Sequence, residues 1–251
     1  MLCIIIPAHN EEAYITQCLT AAHTAGRHAA LDGEEVKVIV VADDCFDRTG
    51  SLASASGAIL IETDGRNVGL ARATGANAAI LLGARWLAFT DADSIVSPNW
   101  LVDQLLCQAD VVCGTVNVRN WPTEAEAARD RFSSTYSDLD GHRHVHGANL
   151  GVSATAYQKA GGFPPLLAHE DVALVKALES IGASICWSAA PRVTTSARLQ
   201  SKTGAGFGAT LQLWNILPSA PHFDMVYASI PMREPSQMDH APLQPEVSER
   251  V

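Results

Sequence analysis

Asp91-Ala92-Asp93 follows the apolar run Trp86-Leu-Ala-Phe-Thr. In an extended segment side chains alternate, so both carboxylates are expected to point the same way. Two such oxygens at the mouth of a sheet suit a hard cation, Mg²⁺ or Mn²⁺, which often bridges to substrate phosphates; a solvated acidic turn is the plainer reading. Asp43, Asp44 and Asp47 crowd the end of another apolar run. Asp43 is nearest the run and is the ligand candidate, able to accept from a nucleobase N–H, whereas Asp47 suits a helix cap. Asn67-Val-Gly69-Leu-Ala-Arg72 reads as a turn into a helix. Gly69 there permits close backbone approach and Arg72 offers a guanidinium to a diphosphate. A capped helix with a surface arginine is the plainer alternative.

His169-Glu170-Asp171 opens a helical pattern. Acids complement the positive end of a helix dipole, and one held near a bound hydroxyl can also act as general base. His169 is the rival base, since an ordinary imidazole titrates nearer neutrality. His142, His144 and His146 alternate, so an extended segment puts them on one face with Arg143 and Val145 opposite. They read as a metal triad or, preferably, as lining of an acceptor pocket. Gly204-Ala-Gly206-Phe-Gly208 lacks the strand before it and the acid after it that a dinucleotide fingerprint needs. Neither GxxxxGK[ST] nor GxSxG occurs, which argues against a P-loop NTPase and an α/β-hydrolase.

The elements that must position these groups alternate. Apolar strands are predicted at 2–6, 36–41, 58–61, 86–89 and 111–118. Between them come helices at about 10–26, capped by Asn10 and closed by Gly26; at 47–56; at 70–82, with Leu70, Thr74, Asn77 or Ala78, and Leu81 in register; and at 97–108, opened by Ser97-Pro98. The first four strands read as apolar throughout, the pattern of a mostly parallel central sheet covered by helices on both faces, with any ligand beyond the strands' carboxyl ends. Further on, 123–140 is helix-prone, 147–152 and 184–187 read as strands, and 154–160 and 172–181 as helices. Val172, Val175, Leu178 and Ile181 form the expected buried stripe of the last. From about Pro218 the chain is proline-rich, and 239–251 reads as a tail.

Composition narrows the function. Acids outnumber bases 27 to 17 and the formal charge is −10, so nucleic acid is not an expected partner. No apolar run reaches the length of a membrane span, and the opening MLCIIIPAHNEE lacks the basic start of a signal peptide. None of the six cysteines forms a CxxC pair, which points to free thiols in a reducing cytoplasm.

The ordered motifs resemble the family-2 glycosyltransferases of GT-A fold. Ile-Ile-Ile-Pro7-Ala-His-Asn10-Glu11 is similar to that family's opening strand and loop, and Asp43-Asp44-Cys-Phe-Asp47-Arg-Thr49 to its second acidic motif, with Ala42 in the place of its first acid. Asn67-Val-Gly69-Leu-Ala-Arg72-Ala-Thr-Gly75 resembles its NxGxxxARNxG segment, with Ala73 for Asn, and Asp91-Ala-Asp93 its DxD. Gly147-Ala-Asn149, Gly161-Gly162-Phe163 and Glu170-Asp171 follow in the family's order, so the resemblance spans about residues 2–200.

The resemblance implies a GT-A nucleotide-diphospho-sugar transferase fold and an inverting transferase (EC 2.4) with Mg²⁺ or Mn²⁺ as cofactor. It places Pro7, Ala8, His9, Glu11, Asp43, Asn67, Arg72, Asp91, Ala92 and Asp93 around a UDP- or GDP-sugar, with Asp93 and Asp91 on the metal. His222 is the candidate for a further metal ligand, and Arg198 for a diphosphate contact. Asp171 is the implied base, oriented by Glu170. His146, Asn149 and His169 are placed on the side of a small-molecule or glycan acceptor. The domain expected is 1–217, its nucleotide-binding half about 1–118 and its acceptor-side half 119–217, followed by the proline-rich segment 218–251. A homo-oligomer stays open. The competing readings are a nucleotidyltransferase, which would carry a Gly-rich basic loop absent from residues 7–12, and a non-catalytic nucleotide-sugar-binding protein.

Overall fold

Leu2–Ala8 (β1) is buried along its whole length, as a strand of only apolar residues must be when helices cover both of its faces. In the computed structural model, which describes residues 1–198 and 207–216, β1 lies inside an eight-stranded sheet. Ile15–Gly26 (α1), Val36–Asp43 (β2), Thr49–Ala55 (α2), Ile59–Thr63 (β3), Val68–Leu81 (α3) and Trp86–Phe89 (β4) follow it. Then come Ile95–Val96 (β5), Trp100–Leu106 (α4), Val111–Arg119 (β6), Glu126–Thr135 (α5), Leu150–Ser153 (β7), Ala154–Lys159 (α6), Glu170–Ser180 (α7), Ile185–Ser196 (β8) and Phe207–Ile216 (α8). The strand order is β3-β2-β1-β4-β7-β6-β8-β5. β1, β2, β3 and β4 run parallel, as do β6 and β8, while β7 is antiparallel to both of its neighbours and β5 to β8. Leu2, Ile4 and Ile6 face a core shared with α1 and α4, and Cys3 and Ile5 one shared with α3, α6 and α7. Among the described residues no helix is long and apolar enough to cross a membrane.

Several elements depart from the pattern expected of the sequence. β3 is an edge strand, and Ile59 is exposed rather than covered. On α3 the large residues Leu70 and Leu81 face outward, while Gly69, Ala71, Arg72, Gly75, Ala76 and Ala79 are buried. The reason is close approach: a Cβ on Gly75 would sit 2.5 Å from Ile5 Cγ2, so only a face of small residues lets this helix lie on the sheet. On α7 Leu174, Val175 and Leu178 are buried together with Glu170, whereas Val172 is half-buried and Ile181 exposed. α1 begins at Ile15 without a side-chain cap, not at Asn10, and α4 begins at Trp100, past Ser97-Pro98.

β8 is the largest difference. It extends to Ser196, far beyond residue 187, because its pairing with β6 jumps from Ser188↔Gly114 to Arg192↔Thr115. The intervening bulge, which contains Pro191, hides the continuation from a pattern reading. His222 and the segment 218–251 lie outside the described residues.

Candidate active site

The carboxyl ends of β1, β2 and β4 open toward one side, and the loops after them carry most of the residues singled out in the sequence. Asp43 ends β2 and is buried. Its Oδ1 accepts from Thr63 Oγ1 at 2.9 Å, Gly65 N at 2.8 Å and Arg66 N at 3.1 Å, and its Oδ2 from Asn67 N at 2.7 Å. These charge-assisted bonds hold the turn into α3, in which Arg66 takes a left-handed φ of 44°. Asn67 caps α3 through Leu70 N at 2.9 Å, and its amide donates to Pro165 O at 2.9 Å. The close approach that Gly69 permits is therefore that of residues 164–166: a Cβ there would lie 2.3 Å from Pro164 O.

His9 is held by both ring nitrogens. Nδ1 lies 2.7 Å from Asp43 O, so it donates, and Nε2 accepts from the Asn10 amide at 3.1 Å. Phe46, 85% exposed, stands edge-on to this ring. Pro7 and Ala8 are buried at the end of β1. Asp47 accepts from Thr49 N at 2.9 Å, but it lies one residue before Arg48, which is the N-cap of α2 and makes no side-chain cap, so the expected cap is replaced by a turn ahead of the helix.

Asp91 and Asp93 do not point together. Ser94 N returns to Asp91 O at 3.0 Å, so the segment is a turn and strand alternation does not apply. Asp91 accepts from Arg72 Nη2 at 2.5 Å. Arg72 Nη1 donates to Glu170, so one guanidinium joins the acid after β4 to the first acid of α7. Arg72 is 4% exposed and neither lies on the surface nor projects into solvent toward a diphosphate. A Cβ on Gly147 would come within 2.4 Å of Arg72 Nη2, and the Phe163 ring lies 5.9 Å from the guanidinium carbon. Only glycine at position 147 leaves room for this arrangement. Burial raises Asp91 and Glu170 above the ordinary carboxylate range, against the pull of Arg72.

Asp93 takes the other direction. It accepts from Ser196 Oγ at 2.6 Å, and Arg198 Nη2 lies 3.3 Å away. Arg198 also reaches both carboxylate oxygens of buried Glu11 at 3.1 Å. An arginine from beyond β8 thus spans the acids after β1 and β4. Ser196 was not singled out in the sequence, because nothing in residues 188–196 announces a strand that returns to the site.

Asp171 lies in the first turn of α7, where its Oδ2 accepts from Gly147 N at 2.7 Å and its Oδ1 from Val172 N at 2.8 Å. The same Gly147 thus makes room for Arg72 and orients Asp171. His169 is exposed and left-handed at φ 61°. Two residues expected on the acceptor side are instead interior. Asn149, 1% exposed, donates to Thr115 O and Pro191 O and accepts from Trp100 Nε1. His146 is buried, with Nε2 2.9 Å from Tyr136 Oη.

The three alternating histidines share a face, as expected, but stack instead of converging. His144 lies 4.2 Å from the Tyr136 ring and 5.3 Å from the His142 ring, and among the described residues no group of three metal-capable side chains gathers. Burial pushes His146 down to about 3 and lowers His142 and His144 as well. Above pH about 6.5 these rings are neutral in folded and unfolded chain alike. Below it the unfolded chain takes up protons that the folded chain refuses, so stability falls from pH about 6.5 toward 3. Urea unfolding should show this decline, and His146→Gln should make it shallower; an unchanged slope would mean that His146 does not contribute.

The chain matches the model of the family described as Glycosyl transferase family 2 over residues 3–160. It is 40% identical over 70 residues to the low-salt glycan biosynthesis hexosyltransferase Agl6 of Haloferax volcanii, a match covering 28% of this chain and only 16% of that protein. Its fold is similar to that of S. aureus TarS 1–349 in complex with UDP-GlcNAc, at a TM-score of 0.59 and 18% identity, over 82% of this chain and 61% of that one. The mannosyltransferase PcManGT of Pyrobaculum calidifontis, in complex with GDP-Man and Mn²⁺, gives 0.52 and 17% over 76% and 57% of the two chains. Glucosyl-3-phosphoglycerate synthase of M. tuberculosis gives 0.52 and 17% over 86% and 79%. At these identities the likeness is one of fold, the mixed sheet of the GT-A transferases. With the family's pattern running through the first seven strands and into the helix after β7, the chain belongs to glycosyl transferase family 2.

Proposed function

We propose that the protein transfers a sugar from a nucleotide-diphospho-sugar to an acceptor hydroxyl, with inversion, and that Asp171 is the base. The observation that carries this reading is the linkage at Gly147. Its N–H orients Asp171, and its missing side chain admits the arginine that ties Glu170 to Asp91. In the reaction the acceptor oxygen attacks the anomeric carbon, its proton passes to an Asp171 carboxylate oxygen, and the sugar–phosphate bond breaks with its electron pair leaving on the diphosphate. Glu170, fixed by Arg72, keeps the first turn of α7 in place. Residues 1–118 form the proposed donor half, with His9 and Asp43 at the base and ribose, and residues from 119 onward the acceptor side.

The chemistry of Asp91 and Asp93 fits a hard divalent cation, since both offer carboxylate oxygens and such ions are often held by one or two carboxylates plus substrate phosphates. Asp93 is the better placed, because its charged partner Arg198 is part-exposed and 3.3 Å away, whereas Asp91 is held by buried Arg72. When bound, the cation would stabilise the departing diphosphate. Arg198 would exchange its carboxylates for the same phosphates.

A thermal-shift panel of UDP-, GDP- and dTDP-sugars with and without Mn²⁺ tests donor binding, and product stereochemistry tests inversion. Asp93→Ala should abolish the Mn²⁺-dependent part of donor affinity in calorimetry. An unchanged metal dependence would remove Asp93 from that role.

A further inference from the structure

Six cysteines are present, and two of them meet far from the donor mouth. Cys107 ends α4 and Cys186 lies near the start of β8, and their Sγ atoms are 2.7 Å apart across 79 positions of chain. That separation is well under 1 Å longer than a disulfide bond of about 2.05 Å. Both thiols are half-buried, whereas Cys3, Cys18 and Cys113 are buried and Cys45 sits by the Ala8 carbonyl. The two elements are themselves packed together: α4 lies against β8, and Cys186 is held in register opposite Val112 of β6.

We propose that Cys107 and Cys186 form a modification site, an intrachain disulfide that clamps the end of α4 to β8 when the chain meets a disulfide oxidant. With oxidised glutathione, one protein thiolate attacks a glutathione sulfur and expels a glutathione thiolate. The second protein thiolate then attacks the mixed disulfide and expels the other. One S–S bond is broken and one formed; the protein thiols give up two electrons and two protons, and oxidised glutathione takes them to become two thiols. Burial and the neighbouring thiol push Cys107 up to about 12, so Cys107 itself offers little thiolate near neutrality. The link would close a long loop and restrict the unfolded chain. Ser196 and Arg198 lie at and beyond the opposite end of β8, so the clamp stabilises the scaffold and leaves the acids of the site untouched.

The test incubates the reduced full chain with oxidised glutathione, alkylates the remaining thiols in acid, and maps peptides by mass. The expected result is loss of two hydrogen atoms, one cross-linked pair joining Cys107 and Cys186, and a melting temperature raised by roughly 10 °C that dithiothreitol reverses. Cys107→Ala should fold, by circular dichroism, and lose both effects. Glutathione retained on either cysteine without a cross-link, a cross-link to another cysteine, or both thiols unreacted at equilibrium would each overturn the proposal.

Discussion

Asp171→Asn is expected to lower turnover by about 10²–10⁴-fold, the usual share of a carboxylate base, with donor affinity nearly unchanged. Asparagine keeps the shape and can still accept from one of the two backbone N–H groups that hold Asp171, those of Gly147 and Val172. It cannot take the acceptor's proton. The loss of charge from the first turn of α7 should cost only about 0.3–1 kcal/mol, so melting temperature and turnover separate the roles. A helix-start residue would lose slight stability and keep its turnover per folded molecule. His169 is the alternative base, exposed on a left-handed backbone just before α7. If His169→Ala were the inactive variant and Asp171→Asn the active one, the proton would go to the imidazole.

Arg72→Leu should have the largest effect on stability. It strips the counter-charge from buried Glu170 and from Asp91. Removing one partner of a buried ion pair costs about 3–5 kcal/mol, or roughly 10 °C of melting temperature for a chain of this size. Adding Glu170→Gln to Arg72→Leu should recover part of the loss, because the orphaned carboxylate disappears, and a double-mutant cycle should show that coupling. An exposed diphosphate ligand would behave otherwise: Arg72→Leu would weaken donor binding and leave melting unchanged. Arg72→Lys is not conservative here, since an ammonium lacks the planar fork that reaches Asp91 with one nitrogen and Glu170 with the other.

The helix-and-strand alternation was legible because its signal is local. Residues 86–89 form β4 with the bounds that their apolar run suggested, and Ile15, Cys18, Leu19 and Ala22 form the buried face of α1 as the spacing required. The same locality misled on α3. Its leucines look like a core stripe, but which face of a helix turns inward depends on how near the sheet comes, and Gly75 against Ile5 sets that distance. Hydrophobicity favours a buried leucine, yet packing without overlap decides whether there is space for one.

The acids, arginines and glycines of the site were all visible along the chain; their partners were not. The order of the motifs, by its resemblance to the family-2 glycosyltransferases, pointed to the class of chemistry, with carboxylates after β2, after β4 and at the head of α7. Only the tertiary structure decided that Asp43 folds a turn around itself, that Asn149 and His146 belong to the interior, and that Arg72 joins Asp91 to Glu170 beneath Gly147. It also decided that Asp93 meets Ser196 and Arg198, more than a hundred positions away along the chain. Residue type and spacing state what a side chain is able to bind. A charge out of water must be paired, and which opposite charge lies within reach depends on how strands and helices from distant parts of the chain are brought together.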